Sequence, residues 1–565
     1  MRTVSIGRQD FASLIENNYF YVDKTNFIRE WWEGGDAATL ITRPRRFGKT
    51  LNMSMLECFF SLRYQNRADL FEGLDIWQEE KYRALQGSFP VIFITFANVK
   101  SPSYTETTAE IKRIISRVYE QHRYLLEGTL LSENEKKLFR SVTPDMDDGI
   151  AKTAISTLSD YLQRCHGKKV IILLDEYDTP LQEAYVDGYW ESLSAFTRGL
   201  FNDMFKTNAS LERGLMTGIT RVSKESIFSD LNNLSVITTT GTRYADCFGF
   251  TEDEVSQALA EAGMFEELET VKRWYDGFTF GKMQDIFNPW SITNFLKNRS
   301  YESYWADTSS NKLVGQLILH GNSRIKEAME TLLHGETLQT ELDEQIIFDQ
   351  LDRSENAVWS LLLASGYLKV ADISLNPYSG RKCYHLALTN FEVKLMFERM
   401  ISDWFSGQDT RYIDFLQAFL QGDLKSMNAY MQDVAKSTFS SFDTGRHPSR
   451  KSDPERFYHG FVLGLLVTLR EDYILRSNRE SGFGRYDVML EPLRPGLKAY
   501  VLEFKVLDSS EEANLDAAVA SALRQIQEKD YDRELLDRGI SKKDIVHYGF
   551  AFEGKRVKIG GAFYF

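Results

Sequence analysis

The chain has 565 residues, too many for one hydrophobic core, so about two to four domains are expected. Its 43% hydrophobic and 26% charged content is that of a water-soluble globular protein, and no run of eighteen apolar residues is present to span a membrane. A net charge of −14 argues against a protein that coats nucleic acid non-specifically, because phosphate binding is driven by Lys and Arg, but it leaves room for a local basic groove. Met1–Gly7 lacks the apolar core and small-residue cleavage site of a signal peptide. Cys58, Cys165, Cys247 and Cys383 are scattered without metal-ligand spacing and read as reduced thiols of a cytoplasmic protein.

In chain order, residues 5–35 form an entry segment in which Phe20–Thr25 precedes an amphipathic helix through Phe27, Ile28, Trp31 and Trp32. Thr39–Leu51 then runs from an apolar strand through a loop ending Gly48-Lys49-Thr50 into a helix over Asn52–Ser61. Strand, loop, helix start is the context a phosphate-binding loop requires. Backbone N–H groups and the positive end of the helix dipole would face an anion there. Lys49 would reach β- and γ-phosphates, and the Thr50 hydroxyl would hold Mg²⁺. The general pattern asks for Gly where this chain has Arg43, so the tripeptide alone also fits an ordinary helix start.

Pro90–Phe96 is a second buried-strand candidate, and helical patterns fill about 105–126 and 151–165. Val170–Leu174 is an unbroken apolar run ending in Asp175 and Glu176, which describes a central parallel strand with acids at its C-terminal tip. Ligands bind at such tips, so Asp175 could meet Mg²⁺ through water and Glu176 could polarise the attacking water. Gly214–Thr220, followed by Arg221, is a further strand. Either Thr217 or Thr220 could sense the γ-phosphate, with Arg221 as the cation, or the threonines are strand formers and Arg221 a solvated end. Val236–Thr240 closes the alternation of strands and helices expected of an α/β sheet.

From Thr251 the periodicity is helical, predicting a lid or small lobe with an aromatic turn at Trp274–Phe278 and another helix opening at Asn288-Pro289-Trp290. Ala357–Tyr367 and the two strand-like segments after it read as a helix and a hairpin, compatible with a winged-helix-like element or with a packing module. Residues 393–435 are amphipathic helix, and Ser437–Lys451 reads as a linker. Beyond it come a helix over Glu455–Arg470, a strand at Tyr473–Arg476, Glu480, a strand through Asp487, and a strand over Ala499–Val506. A long helix about 511–531 containing Gln525 follows, with Ile545–Phe552 as the last strand. The period of two puts Glu503 and Lys505 on one face. Asp487 and Glu503 could bind divalent metal against a phosphodiester while Lys505 stabilises charge or orients water. Glu-x-Lys alone is also common on an exposed edge strand.

Both halves then resemble known families. Residues 1 to about 300 resemble the AAA-ATPase-like family whose phosphate loop reads Arg-Pro-Arg-Arg-Phe-Gly-Lys-Thr/Ser. The matches are Val22–Thr25, Arg43–Thr50, Leu174–Asp178, Thr217–Arg221, Ser226–Leu234 and Trp274–Phe278. Residues from about 450 resemble the PD-(D/E)XK nuclease-like domain often fused to it, at Phe457–Gly460, Gly484–Asp487, Glu503–Lys505 and Gln525-Ile526. The resemblance implies three divisions: an AAA-like P-loop ATPase domain over 1–250, a helical and winged-helix-like connecting region over 251–450, and an α/β nuclease-like domain over 451–565. It implies ATP at Arg43, Arg45, Arg46, Phe47, Gly48, Lys49, Thr50, Leu51, Asp175, Thr220 and Arg221, with Mg²⁺ at Thr50 and Asp175 and Glu176 as the catalytic carboxylate that polarises water. It implies a nuclease metal site at Asp487 and Glu503 with Lys505, Glu480 as an accessory acid and Gln525 as a helper. The family itself carries Arg at position 43. The expected partner is DNA or RNA and no membrane. A trans arginine finger would require a homo-oligomer, and no residue marks itself as one. The expected function is an ATPase whose nucleotide state gates a metal-dependent nuclease; the rival is an ATP-dependent switch or scaffold whose C-terminal domain binds without cutting.

Overall fold

The computed structural model describes residues 2–563 except 222–227, 229–230, 307–311, 320–322, 334, 343–350, 352–353, 376–379, 407–410, 439–461, 463–464, 467–468, 470–471, 482–483, 508–512 and 554–555. Two units divide the chain: residues 1–317 with 337–394, and residues 318–336 with 395–565.

The first unit is built on strands β1 (Ala38–Thr42), β2 (Val91–Thr95), β3 (Val170–Asp175), β4 (Leu211–Gly218) and β5 (Leu234–Ile237). They form one parallel sheet in the order β2-β3-β4-β1-β5. Every residue of β1 and β3 is buried, as a parallel strand covered on both faces must be. Ile92, Ile172, Leu174 and Met216 pack into a core with helices Tyr104–Gln121, Asp148–His166 and Trp190–Phe205. Helix Lys49–Phe60 packs against β3. The phosphate-loop strand and the acidic strand are not neighbours, because β4 lies between them. Register sets Ile41 beside Thr217, and Leu174 beside Met216, so β1, β4 and β3 end at one level.

The helices expected after Thr251 are Glu252–Glu261, Leu268–Tyr275 and Pro289–Asn298, packed around Val255, Tyr275 and Phe295. Between the last two stands an antiparallel hairpin, β6 (Phe278–Phe280) and β7 (Met283–Ile286), that the helical periodicity concealed. Helix Glu355–Ala364 is followed by the expected hairpin, β9 (Leu368–Leu375) and β10 (Lys382–Leu388), to which β8 (Leu338–Thr340) adds a third strand.

The second unit holds β11 (Tyr473–Ser481), β12 (Gly484–Pro492), β13 (Ala499–Val506), β14 (Ile545–Glu553) and β15 (Arg556–Phe563), in that order across a mixed sheet. Only the β13–β14 pairing is parallel, and helix Leu515–Glu528 makes its crossover. Ile545–Phe552 is therefore not the last strand. β15 follows it, and one of the two glycines that weaken its strand signal faces the crossover helix: a Cβ at Gly560 would meet Val519 Cγ1 at 2.4 Å. The single helix expected over 393–435 is broken between Gln421 and Leu424, where Gly422 takes φ +82°. Phe415, Phe419 and Met431 of these helices pack on Tyr500, Leu502 and Tyr548. The linker expected at Ser437–Lys451 and the helix expected at Glu455–Arg470 lie largely outside the described residues, as do Phe457–Gly460 and much of Ser226–Leu234. No described helix is long and apolar enough to cross a membrane, and all four cysteines are free thiols.

Candidate nucleotide and nuclease sites

β1 delivers the chain to Arg43, whose N–H still pairs with the Gly218 carbonyl at 3.1 Å. The loop then turns through Arg46 and Gly48, both left-handed at φ +66° and +80°. Gly48 has no atom near its missing Cβ, so the dihedral itself, not crowding, asks for glycine there. Helix Lys49–Phe60 starts on Gly48 without a side-chain cap. Its first-turn N–H groups are thus left for a ligand. They border a cleft of about 360 Å³ that Arg45, Arg46, Lys49, Thr50 and Glu176 also line. Lys49 is 3% exposed and folds onto its own loop, donating to the carbonyls of Arg43 at 3.1 Å and Pro44 at 3.0 Å, 3.5 Å from Glu176 Oε1.

Asp175 ends β3 fully buried. The Thr50 hydroxyl donates to its Oδ2 at 2.7 Å and the Thr217 hydroxyl to its Oδ1 at 2.6 Å, across the gap that β4 fills. Burial, then the neighbouring Glu176, raises the Asp175 carboxyl above its ordinary range. Glu176 adopts φ +54°, a strained backbone for a non-glycine residue, and its side chain reaches the cleft. A hydroxyl and a carboxylate side by side form a hard-oxygen donor set that suits Mg²⁺.

Three expectations change in detail. Arg43 does not line the cleft: its guanidinium is buried and donates to the carbonyls of Thr42, Thr238, Arg243 and Tyr244 while lying 4.5 Å over the Phe280 ring. It braces the loop from behind, and burial lowers its pKa to about 10. Thr220 donates its hydroxyl and N–H to buried Asp178, at 2.8 Å each, so it is spent on holding the segment after β4. Arg221 is not among the residues that line the cleft and makes no ion pair among the described residues. Phe47 and Leu51 both line the cleft, and the Phe47 ring packs on Phe278 and Phe280, at 4.7 and 5.3 Å. Arg46 stacks over Trp290 at 4.3 Å, a partner with no local sequence signal.

In the second unit β13 is an interior strand, not the edge that an ordinary Glu-x-Lys would mark. Glu503 is 2% exposed. The Gln525 amide, on helix Leu515–Glu528, joins Glu503 and Lys505: its Nε2 donates to Glu503 Oε1, and its Oε1 accepts from Lys505 Nζ at 2.6 Å. Asp487, on β12, accepts the Phe504 N–H at 2.8 Å. These residues converge from two strands and a helix. Tyr531, which sequence reasoning missed, sets its hydroxyl 3.3 Å from Gln525 Nε2, and burial, then the Glu503 and Asp487 charges, raises its pKa, so it stays a hydroxyl at neutral pH. Glu480 lies on β11 opposite Arg485; its side chain lies outside the described residues. Two carboxylates beside a lysine and an amide again suit a hard divalent cation.

Residues 5–228 match the family model described as "Predicted AAA-ATPase", and residues 453–561 match that of the PD-(D/E)XK nuclease superfamily. An uncharacterized protein in the vnfD 5′ region of Azotobacter chroococcum mcd 1 is 24% identical over 563 residues, spanning 95% of this chain and 94% of its own.

Proposed function

Proceeding from an AAA-ATPase-like domain and a PD-(D/E)XK nuclease-superfamily domain on one chain, we propose that ATP binding and hydrolysis in the first gate phosphodiester cleavage of DNA or RNA by the second. The domain limits that go with this reading are 1–250, 251–450 and 451–565. Lys49 leaves the carbonyls of its own loop for the β- and γ-phosphates, while Thr50 and Asp175 hold Mg²⁺ and Glu176 takes the proton of the attacking water. In the nuclease, Asp487 and Glu503 hold the divalent ion, and Lys505, oriented by Gln525, faces the developing charge. The bound ions supply charge neutralisation and Lewis acidity.

The observation that carries the reading is the convergence at Gln525, which ties a buried glutamate to a lysine two residues along the same interior strand. A relative that aligns over nearly the whole chain supports a single working unit. Free thiols support a cytoplasmic setting. The test incubates full-length protein with single- and double-stranded DNA and RNA, with Mg²⁺ or Mn²⁺, with and without ATP. Cleavage that requires the divalent ion, responds to ATP and is lost in Asp487→Ala with Glu503→Ala is expected. No cleavage under any condition would favour a nucleotide-dependent switch that binds without cutting; cleavage indifferent to ATP would remove the gate.

A further inference from the structure

The match to the ATPase family ends at residue 228, yet the crown of the phosphate loop is held by residues well beyond it. The Arg45 carbonyl accepts two hydrogen bonds, from Trp305 Nε1 at 3.0 Å and from Asn288 Nδ2 at 3.3 Å. Trp305 is 1% exposed and is itself fixed. Its backbone N–H donates to Glu392 Oε1, the Ala306 N–H donates to the same oxygen at 3.3 Å, and the Ser291 hydroxyl donates to Oε2 at 2.9 Å. Glu392 is fully buried. A buried carboxylate is tolerated where donors satisfy it, and here both oxygens are used as acceptors. Glutamine keeps that pattern only with its oxygen toward the two N–H groups and the Ser291 hydroxyl reversed to accept its NH₂, and it gives up the charge that strengthens all three bonds.

The anchored carbonyl has a consequence for its own peptide. The unit is planar and trans, so holding the Arg45 C=O toward Trp305 fixes the Arg46 N–H on the opposite side. That N–H donates to no protein acceptor among the described residues, and Arg46 sits at φ +66°, a conformation of order 1 kcal/mol uphill for a side-chain-bearing residue. Such a conformation persists only where surroundings over-determine it. The two donors on Arg45 do so, with Phe47 wedged against Phe278 and Phe280 beside them.

We infer that Trp305 and Glu392 are positioning residues for ATP binding: through the Arg45 carbonyl they hold the loop's N–H groups in the triphosphate-binding orientation, so the nucleotide site is completed by a segment outside the matched ATPase region. The inference rests on the nucleotide reading above. Losing the indole N–H lets the Arg45–Arg46 peptide flip toward an ordinary right-handed backbone and turns a donor away from the anion.

The test compares full-length wild type with Trp305→Phe, which keeps a ring in place and deletes the N–H, and with Glu392→Gln. Trp77→Phe serves as a packing control, since Trp77 stacks on Phe71. ATP dissociation constants, kcat and KM for hydrolysis, and melting temperatures are measured, with binding assayed below every melting point. Both variants are expected to raise the ATP dissociation constant and KM about tenfold, with kcat at saturating ATP changed less than threefold, while the control binds as wild type. Variants that melt earlier yet bind ATP within twofold of wild type overturn the inference and leave the nucleotide reading intact. Wild-type protein that binds no ATP overturns both.

Discussion

The two candidate sites handle a lysine in opposite ways. In the first unit Lys49 is stowed, bonded to two carbonyls of its own loop and 3.5 Å from the acid expected to work beside it. In the second, Lys505 is held by a neutral amide that also carries Glu503. A nucleotide in the first site would have to break that arrangement, which sits on backbone at positive φ in Arg46 and Glu176. The second is built on regular strand and helix, with its side chains already converged. A site that must change when nucleotide arrives suits a control element, and a preassembled one suits chemistry.

The largest effect that could break this contrast is expected from Glu176→Gln. Turnover of ATP should fall about 10³-fold while ATP affinity holds or rises, because the ion pair that stows Lys49 is gone. Unchanged turnover in a steady-state phosphate-release assay would remove Glu176 from the chemistry. On the other side, Gln525→Ala should lower divalent-dependent cleavage about 10- to 100-fold without changing the melting temperature much, since the amide orients groups it does not bury. Cleavage at the wild-type rate would mean that Lys505 needs no guide.

Arg43→Gly sharpens the same contrast at the level of stability. It restores the glycine of the general phosphate-loop pattern, yet it strips the carbonyls of Thr238, Arg243 and Tyr244 of their buried donor. A loss of about 3 kcal/mol or more is expected, read as an earlier thermal unfolding midpoint. A variant as stable as wild type would show that the strained loop needs no such brace. A further effect on stability concerns Asp276, just after helix Leu268–Tyr275. Burial, then the nearby Asp285, pushes its carboxyl up to about 7, against the Gly277 N–H and Lys369. The native state thus holds this proton more tightly than the unfolded chain does, so stability falls as pH rises from about 4 to 7 and is level above. Asp276→Asn should flatten that part of a melting-temperature profile; an unaltered slope would assign it to other groups.

What the sequence made legible follows from where the chemistry is local. Gly48-Lys49-Thr50 opens a helix, Asp175-Glu176 ends a strand, and Glu503 and Lys505 share one strand, so each candidate is local in the chain, and the pairing of motifs and the order of elements raised them above an ordinary helix start or edge strand. The role of Arg43 was not legible, because its partners lie about 200 residues away and a guanidinium beside a phosphate loop reads naturally as a phosphate ligand. Trp305 and Glu392 meet Arg45 and Ser291 from far along the chain, and Tyr531 meets Gln525 past the end of a helix; such hydrogen bonds leave no periodic trace. β6, β7 and β15 were hidden for a different reason: short or glycine-bearing strands carry little propensity until a neighbour packs on them.

The position of β1 has a consequence for how the chain is made. Its neighbours are β4 and β5, and Ala38 pairs with Gly214 and Leu234. On a ribosome adding roughly 5–20 residues per second, the most apolar part of the phosphate-loop strand waits on the order of ten to forty seconds before either neighbour is synthesised. The hairpin of β11 and β12 waits for almost nothing, since Ser481 pairs with Gly484. A fragment that stops short of Leu211 would therefore retain the whole phosphate loop and still have a strand with no partner on either side, a species prone to aggregate rather than to bind nucleotide.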